Sequence, residues 1–180
     1  MMKVQKHPID LDKRRYLVFD LNAMYELEKI YGSFDAFFDV TKEMNERDIF
    51  NFIKVGLLHV EGETDKLDPG IVDYYQQSDV YEKLQVKMKV LQAFISAWSD
   101  SNKEESQSTG PEPTNGRMEW DWDWFYYVGT ALLNMPEAVF WRSTPNRFLA
   151  QWKMHRKYHG LDKLDEKQQQ EHQAIIDQYV

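Results

Sequence analysis

The sequence predicts a mainly α-helical protein in two pieces, on three observations. Apolar residues recur at helical spacing on both sides of a polar stretch in the middle of the chain. That stretch, 99–118, has no aromatic residue and a single large apolar side chain, at its end, so we expect a flexible, disordered linker. Only residues 4–20 are rich in β-formers. We therefore expect a small helical domain at 1–98 with a short N-terminal β-hairpin or strand, and a small helical extension at 119–180.

Composition limits the classes of function. The chain has 180 residues, a net charge of −8 and no cysteine. The charge is −4 for 1–98, −2 for the linker and −2 for 119–180, so neither piece has the basic footprint that nucleic-acid binding needs. Without cysteine there is no disulfide, thiolate nucleophile or cysteine-bound zinc. No long apolar run or apolar signal segment is present, so we expect a soluble, intracellular protein without membrane contact.

The β signal is a single segment. Residues 15–19 are rich in β-formers and follow a polar stretch. One strand cannot satisfy its own backbone and needs a partner. We expect residues 4–9 to pair with it as a short hairpin, the alternative being an edge strand from another subunit.

Capping residues mark the helix ends of the first piece. Asp48 follows Asn45 by three residues, as in a capping box, and Pro69 follows Asp68, as at the first helical position. We expect a C-terminal stop at Gly32 and N-terminal caps at Ser33, Asn45, Asp68 and Ser78.

The longest predicted helix of this piece follows Ser78. Its apolar residues are separated by 4, 4, 3, 4 and 3 positions and form one helical stripe: Val80, Leu84, Met88, Leu91, Ile95 and Trp98. We expect the stripe to face the core. A stripe that faces a partner, or another copy of the chain, would have the same sequence pattern.

The second piece reads as a series of short helices. We expect the first from about Asp121 to Asn134, a short turn opened by Pro136, and a helix that begins at Thr144-Pro145 and is stopped by Gly160. The glutamine-rich tail at 161–180 has Ile175, Ile176 and Tyr179 on one side and is expected to be a helix that frays in isolation.

Two clusters contain residue types that can bind a metal ion. His155 and His159 lie four residues apart, but Arg156 and Lys157 between them would repel a divalent ion, and cations favour a last helical turn in any case. Acidic residues at 119, 121 and 123 suit a helix N-terminus equally well. There is no phosphate-binding glycine loop and no Ser-His-acid arrangement. We expect a protein without catalytic residues, metal or cofactor.

Aromatic residues are in excess in the second piece, since five of the six tryptophans lie between 120 and 152. Aromatic anchors are typical of protein-protein interfaces. The candidate partner-binding residues are aromatic or large apolar side chains of both pieces: Tyr16, Phe19, Leu27, Tyr31, Phe52, Trp98, Trp120, Trp122, Trp124, Phe140, Trp141, Phe148 and Trp152.

With motifs such as YLVFDLNA at 16–23, GLLH at 56–59 and MPE at 135–137, both pieces of the sequence resemble the tail assembly chaperones of long-tailed, siphovirus-type bacteriophages. In the first piece the resemblance lies in YLVFDLNA at 16–23, ELE at 26–28, YGS at 31–33, GLLH at 56–59 and the helix start at 68–69. In the second piece it lies in MPE at 135–137, FW at 140–141 and TP at 144–145 with Phe148. Together these motifs cover roughly residues 15–98 and 119–159, in the family's order across a polar linker.

The resemblance implies a function in tail morphogenesis. In that family the first piece coats the tape-measure protein, and a programmed ribosomal frameshift adds the second piece, which recruits tail-tube subunits. This chain looks like the long, frameshifted form, acting in the cytoplasm of an infected or lysogenic host and absent from the mature virion. Self-association is compatible with this reading. The alternatives are a helical interaction or regulatory module of a prophage or host without a tail role, and a small metal-dependent enzyme using His155 and His159.

Overall fold

The computed structural model describes residues 4–62, 66–99 and 120–161. Over these residues the protein is mainly α-helical, which confirms the predicted fold class. Its elements are β1 (His7–Asp10), β2 (Arg14–Leu17), α1 (Leu21–Tyr31), α2 (Phe34–Val40), α3 (Glu46–Glu61), α4 (Pro69–Gln77), α5 (Val80–Ser96), α6 (Trp122–Tyr127), a π-helical turn (Val128–Leu132), α7 (Glu137–Trp141) and α8 (Pro145–His159). Apart from Ser99, the expected linker lies outside the described residues, as do Glu119 and the tail from 162 to 180.

Strands β1 and β2 form the predicted antiparallel hairpin, which begins at His7 and not at Val4. His7 lies opposite Leu17, and Ile9 lies opposite Arg15. Because side chains alternate along a strand, Ile9, Arg15 and Leu17 all point into the protein and are buried. The hairpin therefore supplies one face of the core and carries a buried arginine on that face.

Helix α3 lies directly on the hairpin, and a glycine makes this possible. The backbone N–H of Val18 donates to the carbonyl of Gly56 at 2.8 Å. A Cβ at position 56 would lie 3.0 Å from Leu17 Cδ2 and 3.2 Å from the Phe19 ring. The close approach buries Leu17 and Phe19 under the helix.

Arg15 ties three segments of the chain together. Its Nε and one Nη donate to both oxygens of Asp12 at 2.8 and 2.7 Å, the other Nη donates to Glu61 at 2.7 Å, and an Nη also donates to Asp68 at 2.6 Å. These carboxylates belong to the hairpin turn, the end of α3 and the N-cap of α4. Hydrogen bonds from Arg15 hold the pKa values of Asp12 and Asp68 below their usual range.

Most of the predicted caps are confirmed, and one is wrong. Gly32 ends α1 in the left-handed conformation, and side chains at 33, 45 and 68 cap their helices as expected. Helix α5, however, is capped by Asp79, which accepts from the Glu82 N–H at 2.8 Å while Glu82 accepts from the Asp79 N–H. The hydroxyl of Ser78 donates to the Tyr74 carbonyl and so closes α4 instead.

The second piece departs from its prediction within its first helix. The expected helix from Asp121 to Asn134 is α6 followed by the π-helical turn, and Asn134 has a positive φ of 50°. Gly129 in this turn lies against Phe140, so that a Cβ there would overlap the ring. Helix α8 begins and ends as predicted, with Thr144 as N-cap and Gly160 in the left-handed conformation.

Aromatic rings join the two pieces into one packed structure. Trp120 stacks on Phe34 of the first piece at 4.6 Å and on Phe125 of the second at 4.3 Å between ring centroids. It also meets Trp98 edge-on at 5.4 Å. Leu21 of the first piece is fully buried among residues of the second. Two backbone hydrogen bonds also connect the two pieces. The Leu21 N–H donates to the Ser143 carbonyl at 2.8 Å, and the Asn146 N–H donates to the Ala97 carbonyl at 3.0 Å.

None of the helices in the described part of the chain is both long enough and apolar enough to cross a bilayer.

Arg15→Ala is expected to lower the free energy of unfolding by about 3 kcal/mol, because three carboxylates lose a shared buried cation. The matched control is Arg14→Ala. The Arg14–Asp10 pair is 3.7 Å apart and largely exposed, so its loss should change stability by less than about 1 kcal/mol. Urea denaturation at neutral pH measures both variants, and equal effects would contradict the assignment.

The same variant carries a pH signature. Asp12 and Asp68 have pKa values lower in the folded than in the unfolded protein, so their stabilisation is present above about pH 4 and is lost as the pH falls through the folded values. Arg15→Ala should therefore lose less stability than the wild type between about pH 6 and pH 3. Parallel pH profiles would exclude this origin of acid sensitivity.

Trp120→Ala should cost about 3 kcal/mol, because it removes the ring between Phe34 and Phe125 and leaves a gap between the two pieces. Tyr127→Ala is the matched aromatic control, since Tyr127 is 57% exposed and its loss should stay within about 0.5 kcal/mol. Thermal melts followed by near-ultraviolet circular dichroism report both the stability and the packing of the tryptophans. A silent Trp120→Ala would mean that the two pieces are joined elsewhere.

Candidate interaction surface

The apolar stripe expected in the core lies on the surface of α5. Val80 is 85% exposed, Leu84 52%, Met88 56% and Ile95 58%. The prediction that they face the core is therefore wrong. Leu91 and Trp98 are half-buried and lie along the edge of the main core.

A second stripe on the opposite side of α5 forms the contact with the core. Val86, Val90, Ala93 and Ala97 are buried, with spacings of 4, 3 and 4. Phe94 on the same side meets the rings of Phe19, Phe37, Phe38, Phe52 and Trp98. The helix thus carries two apolar faces of equal regularity. The second stripe was the signal that sequence reasoning missed.

Tyr81 is 68% exposed and takes the place of Val80 as the first member of a second regular spacing on this face. The resulting set repeats at spacings of 3, 4, 3, 4 and 3, and we call it the α5 stripe: Tyr81, Leu84, Met88, Leu91, Ile95 and Trp98. At 1.5 Å per residue it spans about 25 Å. A continuous apolar line of this length on a surface is typical of an interaction site.

Lysines accompany the α5 stripe. Lys87 donates to the Met44 carbonyl at 3.1 Å, and Lys83 lies 5.4 Å from the centre of the Tyr75 ring. Lys89 lies close enough to His7 to add to the effect of burial, and both lower the pKa of that histidine. The chain has no acidic residue between 83 and 96. The surface is therefore apolar with basic neighbours, on a chain whose net charge is −8.

A groove adjoins the start of the stripe, between β1, α4 and α5. Its volume is about 250 Å³, and it is lined by apolar atoms of Ile9, Tyr74, Tyr81 and Val86 together with polar residues that include Asp10 and Lys89. Tyr81 belongs to both the groove and the stripe. The two features therefore form one continuous surface.

The structure divides the candidate partner-binding residues by exposure. Tyr16 and Trp124 are exposed, at 40% and 38%. Six are half-buried: Tyr31, Trp98, Trp120, Trp122, Trp141 and Trp152. Five are buried in the two cores, where a partner could reach them only by opening the fold: Phe19, Leu27, Phe52, Phe140 and Phe148.

Two of the half-buried candidates, Tyr31 and Trp122, make contacts within the protein that account for their burial. The Tyr31 hydroxyl donates to Asp48 at 2.9 Å, and burial raises the pKa of Tyr31 to about 12. Trp122 packs edge-on against Tyr25 at 5.3 Å, and its indole N–H donates to Glu28. These contacts hold α1 to its neighbours.

Of the two metal candidates, the structure describes both histidines and two of the three acidic residues, Asp121 and Asp123, while Glu119 lies outside the described residues. The rings of His155 and His159 lie 4.2 Å apart at the end of α8, with Trp152 stacked on His155. Asp121 acts as the N-cap of α6, accepting from the Trp124 N–H at 2.9 Å. Within residues 4–62, 66–99 and 120–161, no three or more histidine, aspartate or glutamate side chains are grouped so as to hold a metal ion.

A further set of exposed large apolar side chains lies on the second piece. Tyr127 is 57% exposed at the end of α6, and Met154 and Tyr158 on α8 are 64% and 86% exposed. These residues lie on elements that follow the expected linker, whereas the α5 stripe precedes it. Each piece thus contributes its own exposed apolar side chains.

Comparisons with models of protein families, with curated proteins and with solved structures found no match for this chain. A function must therefore be argued from the sequence motifs and from the surfaces described above.

Neighbouring residues of α5 test which face belongs to the core. Phe94→Ala should lower the free energy of unfolding by about 3 to 5 kcal/mol, because Phe94 is buried among five rings. Ile95→Ala should stay within about 0.5 kcal/mol, because Ile95 is 58% exposed. Chemical denaturation of both variants gives the comparison. A larger loss for Ile95→Ala would place the exposed stripe in the core after all.

Proposed function

We propose that this protein is a phage tail assembly chaperone, which keeps an aggregation-prone tape-measure protein soluble and brings tail-tube subunits to it. The observation that carries the proposal is the α5 stripe, whose exposed members Tyr81, Leu84, Met88 and Ile95 form a long apolar surface. A chaperone for an extended helical chain needs such a surface, because it must cover apolar side chains along a helix. The specific identity is supported by the resemblance of motifs to those of tail assembly chaperones, among them GLLH at 56–59 and the Asp68-Pro69 helix start.

Each piece would bind a different partner. Residues 1–98, which carry the α5 stripe, would bind the tape-measure protein. Residues 119–180, with Tyr127, Met154 and Tyr158 exposed, would bind the tail-tube subunit. The aromatic contact at Trp120 supports a joint action of the two, since it holds the recruiting piece against the coating piece.

If the second piece is added by a frameshift, the short and long forms would differ in which apolar residues of the first piece are covered. A short form that ends before the second piece would lack the residues that cover Leu21 and the outer faces of Phe34 and Trp98. The long form would then differ from the short form in exposed apolar surface as well as in length. A slippery heptamer in the DNA that encodes the linker, followed by a zero-frame stop, is the expected genetic signature.

Co-expression tests the proposal directly. The full chain, produced together with the long helical tape-measure protein encoded near it, should shift that protein from the insoluble to the soluble fraction. The charge-bearing variant Leu84→Glu/Met88→Glu/Ile95→Glu should lose this effect, because it places carboxylates on the apolar surface. Met154→Glu, at an equally exposed apolar position of the second piece, is the matched control and should retain it.

Two outcomes would count against the proposal. If the wild-type chain leaves the tape-measure protein insoluble, the chaperone function is wrong. If the triple variant folds normally by circular dichroism and still solubilises its partner, the α5 stripe is not the surface used. A genomic neighbourhood without tail genes would favour the interaction module without a tail role.

A further inference from the structure

We propose that the α5 stripe binds one amphipathic α-helix with a heptad apolar repeat and acidic flanking residues. This inference rests on the proposed function, which makes the α5 stripe a partner-binding surface. It adds the chemistry of the partner that binds there. It is argued from the spacing of the stripe, the charges beside it and the groove at its start.

The spacing specifies a helical partner. Positions 81, 84, 88, 91, 95 and 98 alternate steps of 3 and 4, so that Tyr81, Met88 and Ile95 recur every seven residues. This is the repeat at which two helices stay in register along a shared seam. Tyr81, Met88 and Ile95 then occupy the a positions, and Leu84, Leu91 and Trp98 occupy the d positions. A partner with the same repeat would cover the exposed positions Tyr81, Leu84, Met88 and Ile95, beside Leu91 and Trp98, which pack against the core.

The charges select an acidic partner over a second copy of the chain. In this heptad the g positions are Val80, Lys87 and the buried Phe94, and the e positions include Gln85 and Gln92. Lys87 is therefore the charged residue at the edge of the seam, where charges on a facing helix are met. Lys83 and Lys89 add further positive charge nearby. In a parallel pair of α5 helices Lys87 would face a glutamine of the other copy, and in an antiparallel pair it would face a lysine. Neither arrangement forms an ion pair. A helix with aspartate or glutamate at e and g would pair with Lys87.

The groove supplies an anchor point. It lies beside Tyr81, has a volume of about 250 Å³ and is lined by apolar atoms of Ile9, Tyr74 and Val86. A large apolar side chain of the partner, projecting from the end of its seam, could enter it. Buried anchors of this kind contribute much of the binding energy of an interface. The partner helix is thus expected to carry an aromatic or large aliphatic residue at that end.

Fluorescence anisotropy with synthetic helices tests the inference on the full-length protein. Two labelled peptides share one leucine-isoleucine seam and differ only at e and g, which carry glutamate in one and lysine in the other. The glutamate peptide should bind at least about tenfold more tightly, and the difference should shrink in about 0.5 M salt. Met88→Glu, at an exposed position, should weaken binding of the glutamate peptide about tenfold or more, and Ile30→Glu, at an exposed apolar position of α1, should leave it unchanged.

A charge swap provides the sharper readout. Lys83→Glu/Lys87→Glu should reverse the preference, so that the lysine peptide binds more tightly than the glutamate peptide. Ile95→Glu serves as a second seam variant if Met88→Glu changes the melting curve. Equal binding of both peptides, or binding of neither, would overturn the inference. Dimerisation in sedimentation experiments that is abolished by Met88→Glu would also overturn it, in favour of a second copy.

The outcomes separate this inference from the proposed function. Failure of the glutamate peptide, with the tape-measure protein still solubilised, would leave the chaperone function standing and remove the acidic helix as its partner. Selective binding of the glutamate peptide at α5, with no effect on the tape-measure protein, would support the acidic helix and remove the tail function.

Discussion

The structure depends on the stacking of Trp120 between Phe34 and Phe125. One ring face belongs to the first piece and the other to the second, with centroid distances of 4.6 and 4.3 Å. Offset stacking and the burial of large ring surfaces together stabilise such a contact well beyond a single apolar pair. The buried residues of the main core all belong to the first piece, whereas the smaller core of the second piece includes Leu21 of the first. The second piece therefore gains most from the shared surface.

The packing of α5 determines what remains exposed on the first piece. Phe94 packs one face of the helix into the aromatic core, to which Trp98 also belongs, and leaves Leu84, Met88 and Ile95 on the solvent side. The α5 stripe is therefore a product of the packing, since a helix with two apolar faces can bury only one of them here. The proposed chaperone function and the proposed acidic helical partner both depend on that free face, which sets repeating apolar side chains beside lysines.

Charge is distributed in two different ways in this protein. Arg15 is buried and satisfied by Asp12, Glu61 and Asp68, and its energetic effect is to hold the hairpin, α3 and α4 together. The lysines of α5 lie beside exposed apolar residues, on a chain that is acidic overall. Buried charge of the first kind stabilises only when it is fully paired, whereas charge beside an exposed apolar face chooses between partners.

The sequence by itself determined the fold class, the hairpin and most helix ends, because caps such as Asn45 and stops such as Gly32 act within a few residues of themselves. It also contained both apolar stripes of α5, but could not rank them, because burial depends on what another part of the chain presents to each face. Only the tertiary structure placed Phe94 inside and Met88 outside, and only it joined Trp120 to Phe34 across the expected linker. These contacts connect residues far apart in the chain, and local periodicity holds no information about them.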